Sequence, residues 1–298
     1  MLPARTLTGT SAATPSVISP PSVNTWTGAG ERRTSRLYVD ETHPFFFDHP
    51  VDHVPAMLLV AGLLDLAAPP AHALHPGNTV RLSLRVPRMA ELNAPVTVSA
   101  QGRAAPHHRW QVRVAQHDTP VADGELEYLT RRPALPRPTR TAPSLPDRAD
   151  RTLVHRHRPE NVLIGHAHIR DEWLLAPLRT PGTDHYLTQR HPVAGSIEEL
   201  VEAGRQFGIL YGHVVQGRPA DSQILLLGMT AELPVTLPPR TPVTLRSVTG
   251  PGNGSRGRLT IDYLAGGTDG TRVGEMALDY IVVSAAAYRR MRAARTAS

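Results

Sequence analysis

Two charged side chains in the second half of the sequence have the types and spacing for acid–base and anion-binding chemistry. Glu202 lies three residues before Arg205, so on a helix the two would share one face. A carboxylate in an apolar setting can take a proton from a hydroxyl group, and a guanidinium can hold a phosphate through paired hydrogen bonds. The same spacing is also that of an ordinary intrahelical ion pair, in which Arg205 only orients Glu202. Arg218 is a further candidate for binding an anion.

A second group of titratable side chains, His49, Asp52 and His53, lies within one short segment of the first half. It could form a catalytic or metal-binding cluster. However, Pro50 and Pro55 make the segment a rigid loop that leads into a helix, which favours a structural role. In that interpretation Asp52 satisfies free N–H groups at the helix start, while the histidines orient the loop.

No strong signal for a metal or a cofactor is present in the sequence. The chain contains no cysteine, which excludes a disulfide scaffold, a thiolate nucleophile and a zinc-thiolate site. Four histidines alternate as strand residues do, with each pair on one face, but this spacing alone is a weak indication of zinc. We therefore expect no metal site and no cofactor. The four alternating histidines are His155, His157, His166 and His168.

The composition is that of a globular protein, and 298 residues are enough for two domains of about 100 to 150 residues each. All 32 basic residues are arginines, and the net charge of +6 is modest. Because the arginines are spread over loops and the C-terminal segment, we do not expect nucleic-acid binding. No apolar stretch approaches the roughly 20 residues that cross a bilayer, so we expect no membrane association and a cytoplasmic location.

Two stretches rich in proline and small polar residues limit the folded parts of the chain. Residues 1–35 carry few large apolar groups and are expected to form a disordered tail. Residues 131–151 contain repeated prolines, which block helix and central strand alike, and are expected to form an interdomain linker. The sequence therefore predicts a first repeat over residues 36–130 and a second over residues 152–293.

The two predicted repeats share one pattern, which is the most informative feature of the sequence. The tripeptide His-Pro-Val at positions 49 and 191 precedes in each case a stretch expected to be helical, over residues 54–66 and 197–215. Segments of period-two alternation follow and predict half-buried antiparallel strands. The clearest lie at residues 80–84, 110–114 and 258–263.

One helix followed by a meander of strands is an α+β unit in which the sheet must wrap the helix to bury its apolar face. Two such units in one chain predict a tandem, or double, hotdog. The two sheets would pair within the chain, and acyl tunnels would then form along the seam between the halves.

Several segments resemble the A-factor biosynthesis (AfsA) family. Residues 45–59, FFFDHPVDHVPAMLL, closely resemble the family signature FFDHPxDHVPGMLL. Residues 202–206, EAGRQ, are similar to its E-x-x-R-Q helix motif, and LVHR at residues 153–156 is similar to the strand that opens one repeat. The closing SAAAYRRMR at residues 284–292 also looks like a family segment. Together these resemblances cover most of residues 36–295.

The resemblance implies transfer of a β-ketoacyl group from an acyl carrier protein, or a related acyl-CoA thioester, to the hydroxyl of a dihydroxyacetone phosphate-like acceptor. Such a reaction belongs to the biosynthesis of γ-butyrolactone signals or secondary metabolites. Free N–H groups at a helix start would stabilise the thioester oxyanion. The catalytic candidates are Glu202, as the base, and Arg205. The substrate-binding candidates are His49, Asp52, His53 and Arg218.

Two departures from the family pattern leave other functions open. The family's first helix continues into E-A-x-R-Q, whereas residues 60–65 read VAGLLD here, and the half that carries LVHR normally comes first. The lost Glu and Arg favour a noncatalytic acyl-binding protein. A hotdog dehydratase or thioesterase is the other alternative, and it needs a histidine that faces a carboxylate across the seam. His49 opposite Glu202 could supply that pair.

Overall fold

The computed structural model describes residues 16–26, 30–69, 78–103, 108–130, 145–191, 195–238, 240–250 and 254–296. Within them, twelve strands form one antiparallel sheet and four α-helices accompany it. The first half contains β1 (Ser22–Trp26), β2 (Gly30–Arg36), α1 (Ala56–Ala67), β3 (Thr79–Arg85), β4 (Thr97–Arg103), β5 (Arg109–Gln116) and β6 (Thr119–Leu129). The second half contains β7 (His168–Arg170), β8 (Trp173–Pro177), α2 (Tyr186–Arg190), α3 (Ile197–Val214), β9 (Gln223–Pro234), β10 (Val243–Val248), β11 (Arg256–Ala265), β12 (Thr271–Val283) and α4 (Ala285–Thr296).

The order of strands in the sheet is symmetric about its centre. It runs β1-β2-β4-β5-β6-β3-β9-β12-β11-β10-β8-β7, so each strand of the first half has a counterpart at the same distance from the middle. The halves join where β3 pairs with β9, with Leu82 opposite Ala231. A long helix precedes each of these two strands, α1 before β3 and α3 before β9. The predicted α+β double hotdog is therefore confirmed, together with both predicted helices and the three predicted strands.

A glycine recurs at matching places in the two halves because a neighbouring strand comes close there. A Cβ atom on Gly124 of β6 would lie 1.8 Å from the carbonyl oxygen of Ser83 in β3. A Cβ atom on Gly274 of β12 would lie 2.8 Å from the carbonyl oxygen of Glu232 in β9. Since β6 and β12 are counterparts, the repeated Gly-Glu pairs at residues 124 and 274 mark the same close approach in both halves.

The prediction of a disordered tail over residues 1–35 is wrong for residues 16–26 and 30–35. β1 and β2 pair as a hairpin, β2 pairs with β4, and Val17 and Ile18 are buried against the first half. The hairpin lies at the edge of the sheet, so most of its side chains can stay polar, and its composition resembles that of a loop. The first half therefore begins before residue 36. Residues 1–15 and 27–29 lie outside the described residues.

The predicted linker is described only from Leu145 onward, and residues 131–144 lie outside the described residues. The described part is packed against the second half. Arg148 forms an antiparallel bridge with Gly165, and Ala149 is buried. Residues 145–151 are therefore part of the second half and not a free connection.

The helix α1 is buried on nearly all sides, as expected for a helix without a polar face. The helix begins after Pro55, and no side chain caps its N-terminus. At its other end, Arg33 Nη1 of β2 donates hydrogen bonds to the carbonyl oxygens of Leu66 and Ala68, so a cation satisfies the last turn. Among the described residues, no helix is both long and apolar enough to cross a bilayer.

The helix α3 lies close to the sheet because three glycines, spaced four residues apart, face it. A Cβ atom on Gly204 would lie 2.2 Å from Tyr263 Oη and 2.6 Å from Met276 Sδ. Gly208 and Gly212 face the sheet with similarly little space. Tyr263 Oη in turn donates to the carbonyl oxygen of Leu200 at 2.8 Å. This packing holds the opposite face of α3, which carries the charged residues, at a fixed place on the seam.

Replacing Gly204 with alanine should destabilise the protein, although alanine normally stabilises a helix relative to glycine. The added methyl group has no room beside Tyr263 and Met276, so we expect the free energy of unfolding to fall by about 1–3 kcal/mol. Urea denaturation measures this change. Gly182→Ala is the matched control, because no atom lies within 4 Å of the added Cβ, and it should change stability by less than about 0.5 kcal/mol. A Gly204→Ala protein as stable as the parent would contradict the close packing.

Candidate active site

A cavity of about 230 Å³ lies on the seam between the two halves. The start of α1, one face of α3 and the strands β9, β11 and β12 form its walls. Most of the wall is aliphatic, which suits an acyl chain. Representative wall residues are Val60, Val201, Ile209, Met229, Met276 and Leu278.

One end of this cavity opens into a polar vestibule. Six residues line both spaces, and all but Val51 are polar or charged, so polar groups lie where the apolar tunnel meets the vestibule. Further basic and polar side chains surround the vestibule itself. The shared residues are His49, Val51, His53, His155, Arg156 and Gln223, and the vestibule adds, among others, Arg151, His157, Asp52 and Tyr288.

Glu202 of α3 is enclosed by donors and does not line the cavity or the vestibule. Its Oε1 accepts from Arg156 Nη2 at 2.6 Å, from Arg205 Nη2 at 2.8 Å and from Gln206 Nε2 at 2.7 Å. Its Oε2 accepts from Arg205 Nε at 2.8 Å. The residue has no solvent exposure. Burial by itself would raise the pKa of Glu202, but the two guanidinium groups and these hydrogen bonds lower it to about 2.

The predicted pairing of Glu202 with Arg205 is thus present, and Arg205 is the member that reaches the cavity. Its side chain is 25% exposed, and its Nη1 has no hydrogen-bond partner among the residues that the structure describes. Gln206, the last residue of the motif, accepts from the N–H of Leu163 at 2.8 Å and donates to the carbonyl of Asn161 at 2.7 Å. The E-x-x-R-Q motif therefore holds the cation of Arg205 at the tunnel and fixes residues 161–163, which precede β7.

Arg156 connects this charged group to the first half, and the sequence did not single it out. Its Nη1 donates to the carbonyl oxygen of Phe45 at 2.7 Å and lies 3.7 Å from Asp48 Oδ2. Asp48 also accepts from the backbone N–H of His157 and Arg158 at 3.1 and 2.8 Å. The signature segment of the first half is in this way bonded to the LVHR segment of the second.

His49 lies at the junction of tunnel and vestibule, as one of the predicted substrate-binding residues. Burial, together with the charges of Arg205 and Arg156, lowers its pKa to about 4, so the imidazole is neutral at pH 7. Its Nδ1 is buried and has no hydrogen-bond partner in the described structure. His49 and Glu202 do not form the facing pair expected for the alternative function, because the oxygens of Glu202 are all directed at Arg156, Arg205 and Gln206.

Asp52 does not cap α1, so that expectation is wrong. Its carboxylate accepts from Tyr288 Oη at 2.5 Å and from Arg292 Nε at 2.9 Å, both on α4. His53 Nδ1 lies 2.9 Å from Asp52 Oδ1, and Arg292 also binds Glu91. The closing YRRMR segment therefore anchors α4 beside the vestibule, and these bonds leave Asp52 little freedom to bind a substrate.

Arg218 is not brought to the cavity. Its guanidinium donates to the carbonyl of Gly254, far along the chain in the loop before β11. The positions that would carry the missing arginine of the first half, Leu63 or Leu64, are buried in the core and line neither space. Within the described residues, no group of three or more His, Cys, Asp or Glu side chains could hold a metal ion. The four alternating histidines do not share a strand, since His155 follows a 3₁₀ turn with a left-handed backbone.

Comparison with known sequences identifies relatives of both halves. A family model described as the A-factor biosynthesis hotdog domain matches residues 22–130 and 138–283. The 2-oxo-3-(phosphooxy)propyl 3-oxoalkanoate synthase of Streptomyces virginiae is 40% identical over 92 residues, which are 29% of this chain and 30% of that protein. The enzyme of the same name from Streptomyces coelicolor is 35% identical over 107 residues, which are 34% of this chain and 31% of that protein. The matched stretch thus spans about a third of these relatives.

Among solved structures, polyketide synthase dehydratase domains share the fold. The dehydratase domain of the CurJ module of curacin polyketide synthase superposes with a TM-score of 0.57 at 13% identity, covering 90% of this chain and 97% of that one. The dehydratase domain of a mycocerosic acid synthase-like polyketide synthase gives 0.58 at 18% identity, covering 94% and 98%. At these identities the likeness shows the fold alone.

Replacing Glu202 with glutamine should destabilise the protein strongly, because the buried guanidinium of Arg156 and the partly buried one of Arg205 would lose the charge that they share. We expect the free energy of unfolding to fall by about 3–5 kcal/mol, measured by urea denaturation at pH 7. Glu160→Gln is the matched control. Glu160 pairs with Arg158 at 3.8 Å while more than half exposed, so its loss should cost less than about 1 kcal/mol. A Glu202→Gln protein of unchanged stability that loses only activity would restore Glu202 as the base.

Proposed function

The chain belongs to the A-factor biosynthesis hotdog family, and we propose that it transfers a 3-oxoacyl group from a carrier thioester to the hydroxyl of a small phosphorylated alcohol. The carrier would be an acyl carrier protein or coenzyme A. The two synthases that match part of the chain are named for such a phosphooxypropyl ester product. The observation that carries the proposal is the apolar tunnel that ends at Arg205 and neutral histidines and opens into a basic vestibule.

The acyl chain would lie in the tunnel, with its thioester at the polar end. Pro55, Ala56 and Met57 line the cavity at the start of α1, whose first turn has no side-chain cap. Free N–H groups and the partial positive charge of a helix start stabilise an oxyanion. The attacked carbonyl oxygen would therefore point toward this end of α1, as the resemblance to the family implied.

The proton acceptor would be an imidazole of the cavity and not Glu202. A base must accept a proton, and a carboxylate that has a pKa of about 2 and already accepts five hydrogen bonds from Arg156, Arg205 and Gln206 is a weak proton acceptor. His49 and His155 line the cavity, and the pKa of each is lowered to about 4, so both are neutral at pH 7. Glu202 would act indirectly, by holding Arg205 and Arg156 in place.

The acceptor's phosphate would bind where the vestibule meets the tunnel, since cations lie on both sides of this junction. Arg151 is exposed in the vestibule, and Arg205 of the tunnel has an Nη1 without a hydrogen-bond partner among the described residues. Arg205 of the second half lies at the seam and thus takes the place of the arginine that the first half lacks. A noncatalytic acyl-binding protein would share the tunnel, but it would not require a basic vestibule joined to neutral imidazoles.

The proposal predicts a product and a specific dependence on Arg205. The protein should convert a 3-oxoacyl carrier protein and dihydroxyacetone phosphate into the phosphorylated ester, detected by mass spectrometry. Arg205→Gln should lower kcat/KM for the phosphorylated acceptor by about 10- to 100-fold, since a charge-assisted hydrogen bond contributes about 1.5–3 kcal/mol. The rate with unphosphorylated dihydroxyacetone should change much less.

Arg170→Gln is the control for this experiment, because Arg170 of β7 is more than half exposed and lines neither space, and its kinetics should match the parent. Stability is measured in parallel, since Arg205 also pairs with Glu202. Formation of no ester with any acceptor, despite acyl binding, would favour a noncatalytic acyl-binding protein. An equal loss with both acceptors would show that Arg205 does not bind the phosphate.

A further inference from the structure

His155 is held in a defined orientation at the junction of tunnel and vestibule. It follows the 3₁₀ turn Arg151–Val154 and has a left-handed backbone, with φ of 51°. Its N–H bonds back to the turn, and its Nε2 lies 3.1 Å from Nε2 of His213 on α3. The backbone and the ring are therefore both fixed.

The hydrogen bonds of His213 determine which nitrogen of His155 carries a proton. His213 Nδ1 lies 2.9 Å from the carbonyl oxygen of Arg218, which can only accept, so Nδ1 carries the hydrogen. In the neutral ring, His213 Nε2 is then an acceptor, and His155 Nε2–H must donate to it. The lone pair of His155 consequently lies on Nδ1. Arg218, chosen from the sequence for its guanidinium, contributes its backbone carbonyl to this chain.

The surroundings of His155 keep the ring neutral. Burial, followed by Arg205, His213 and His49, lowers its pKa to about 4. The vestibule adds the cations of Arg151 and Arg156 and the ring of His157, with the carboxylate of Asp52 bound to α4. A phosphorylated acceptor would bring about two negative charges to these cations, and a nearby anion raises the pKa of a histidine. The ring thus becomes a better proton acceptor when that acceptor is bound.

We infer that His155 Nδ1 is the catalytic proton acceptor of the proposed acyl transfer and that His213 is its positioning residue. The inference rests on the proposed function. In the step, the acceptor's O–H proton moves to His155 Nδ1 while its oxygen forms a bond to the thioester carbonyl carbon. The C–S bond then breaks, and the departing thiolate takes the proton back from Nδ1. His49 lacks such an orienting bond, because its Nδ1 has no partner in the described structure.

Substitutions at both positions test the inference kinetically. His155→Asn, which tolerates the left-handed backbone, should lower kcat by about 100-fold or more. His213→Leu, which cannot bond to either neighbour, should lower kcat at least about tenfold with little change in KM. His213→Gln should restore most of the rate, because its amide oxygen can accept from His155 while its amide nitrogen donates to Arg218. His168→Leu, an exposed residue of β7 outside both spaces, is the control and should match the parent.

The pH profile of the parent provides a readout that a structural role would not change. The neutral ring is the active form, so kcat/KM should be lost as the pH falls through about 4. The acid limb of kcat should lie at higher pH with the phosphorylated acceptor than with the unphosphorylated one. An identical acid limb for both acceptors would overturn the proton-acceptor role.

Nitrogen-15 NMR of the histidine rings separates failure of this inference from failure of the proposed function. The parent should show His155 protonated on Nε2 and His213 on Nδ1, and His213→Leu should remove the fixed tautomer of His155. The opposite tautomers, or transfer that survives in His155→Asn, would overturn the inference while the acyl transfer stands. If the pair is present but the parent transfers no acyl group to any acceptor, both the function and the proton-acceptor role are wrong.

Discussion

The carboxylate of Glu202, buried between two guanidinium groups, is the constraint on which the seam and the site depend. Removing such a charge from water costs several kcal/mol, and only a complete set of donors offsets that cost. Arg205 and Gln206 of the same helix supply part of the set, but Arg156 comes from the segment that follows the proline-rich stretch. Arg156 also bonds to Phe45 of the first half. All donors to Glu202 belong to the second half, but Arg156 finds its remaining partners, the carbonyl oxygen of Phe45 and the carboxylate of Asp48, only in the first half, so the site and the seam are coupled.

A second charged group joins the halves at another place on the seam. Arg190, just before the His-Pro-Val of the second half, donates from Nε to Glu198 Oε2 at 2.9 Å and from Nη2 to Asp65 of α1. Asp48 stands just before the His-Pro-Val of the first half and faces Arg156. In each half, the residue before this tripeptide thus contacts an oppositely charged side chain of the other half. This residue is acidic in the first half and basic in the second. These two ion groups therefore hold the seam at the residues that precede the repeated tripeptide.

The sequence predicts those parts of the molecule that depend on local spacing. Helix and strand periodicity gave both long helices and the alternating strands, and the spacing of Glu202 and Arg205 correctly placed them on one face. Partners that lie far apart in the chain leave no such pattern. Asp52 binds Tyr288, which is 236 residues away, and the contact of Arg156 with Phe45 spans 111 residues.

The role of a carboxylate depends even more on such distant partners. An apolar surrounding would have raised the pKa of Glu202 and suited it to accept a proton, whereas the two arginines lower it. The same residue types at the same spacing allow both outcomes, and Arg156, which adds a second cation from a distant part of the chain, favours the ionised carboxylate. The edge hairpin of β1 and β2 was missed for a related reason, because its stability comes from pairing with β4 and not from its own composition.

The departure of the first half from the family motif is explained by a division of roles between the two helices. At the repeat offset of 142 residues, set by His49 and His191, the residues Glu202, Arg205 and Gln206 correspond to Val60, Leu63 and Leu64. All three of these α1 residues are buried, and Val60 lines the tunnel. A second glutamate and arginine there would place further charges in the apolar wall that an acyl chain needs, at a large desolvation cost. With apolar residues, α1 can supply the wall and an uncapped helix start, while α3 supplies the charged groups. The absence of the E-x-x-R-Q motif from α1 is therefore compatible with the proposed acyl transfer at this seam, because the charged residues of α3 are sufficient for the tunnel described here.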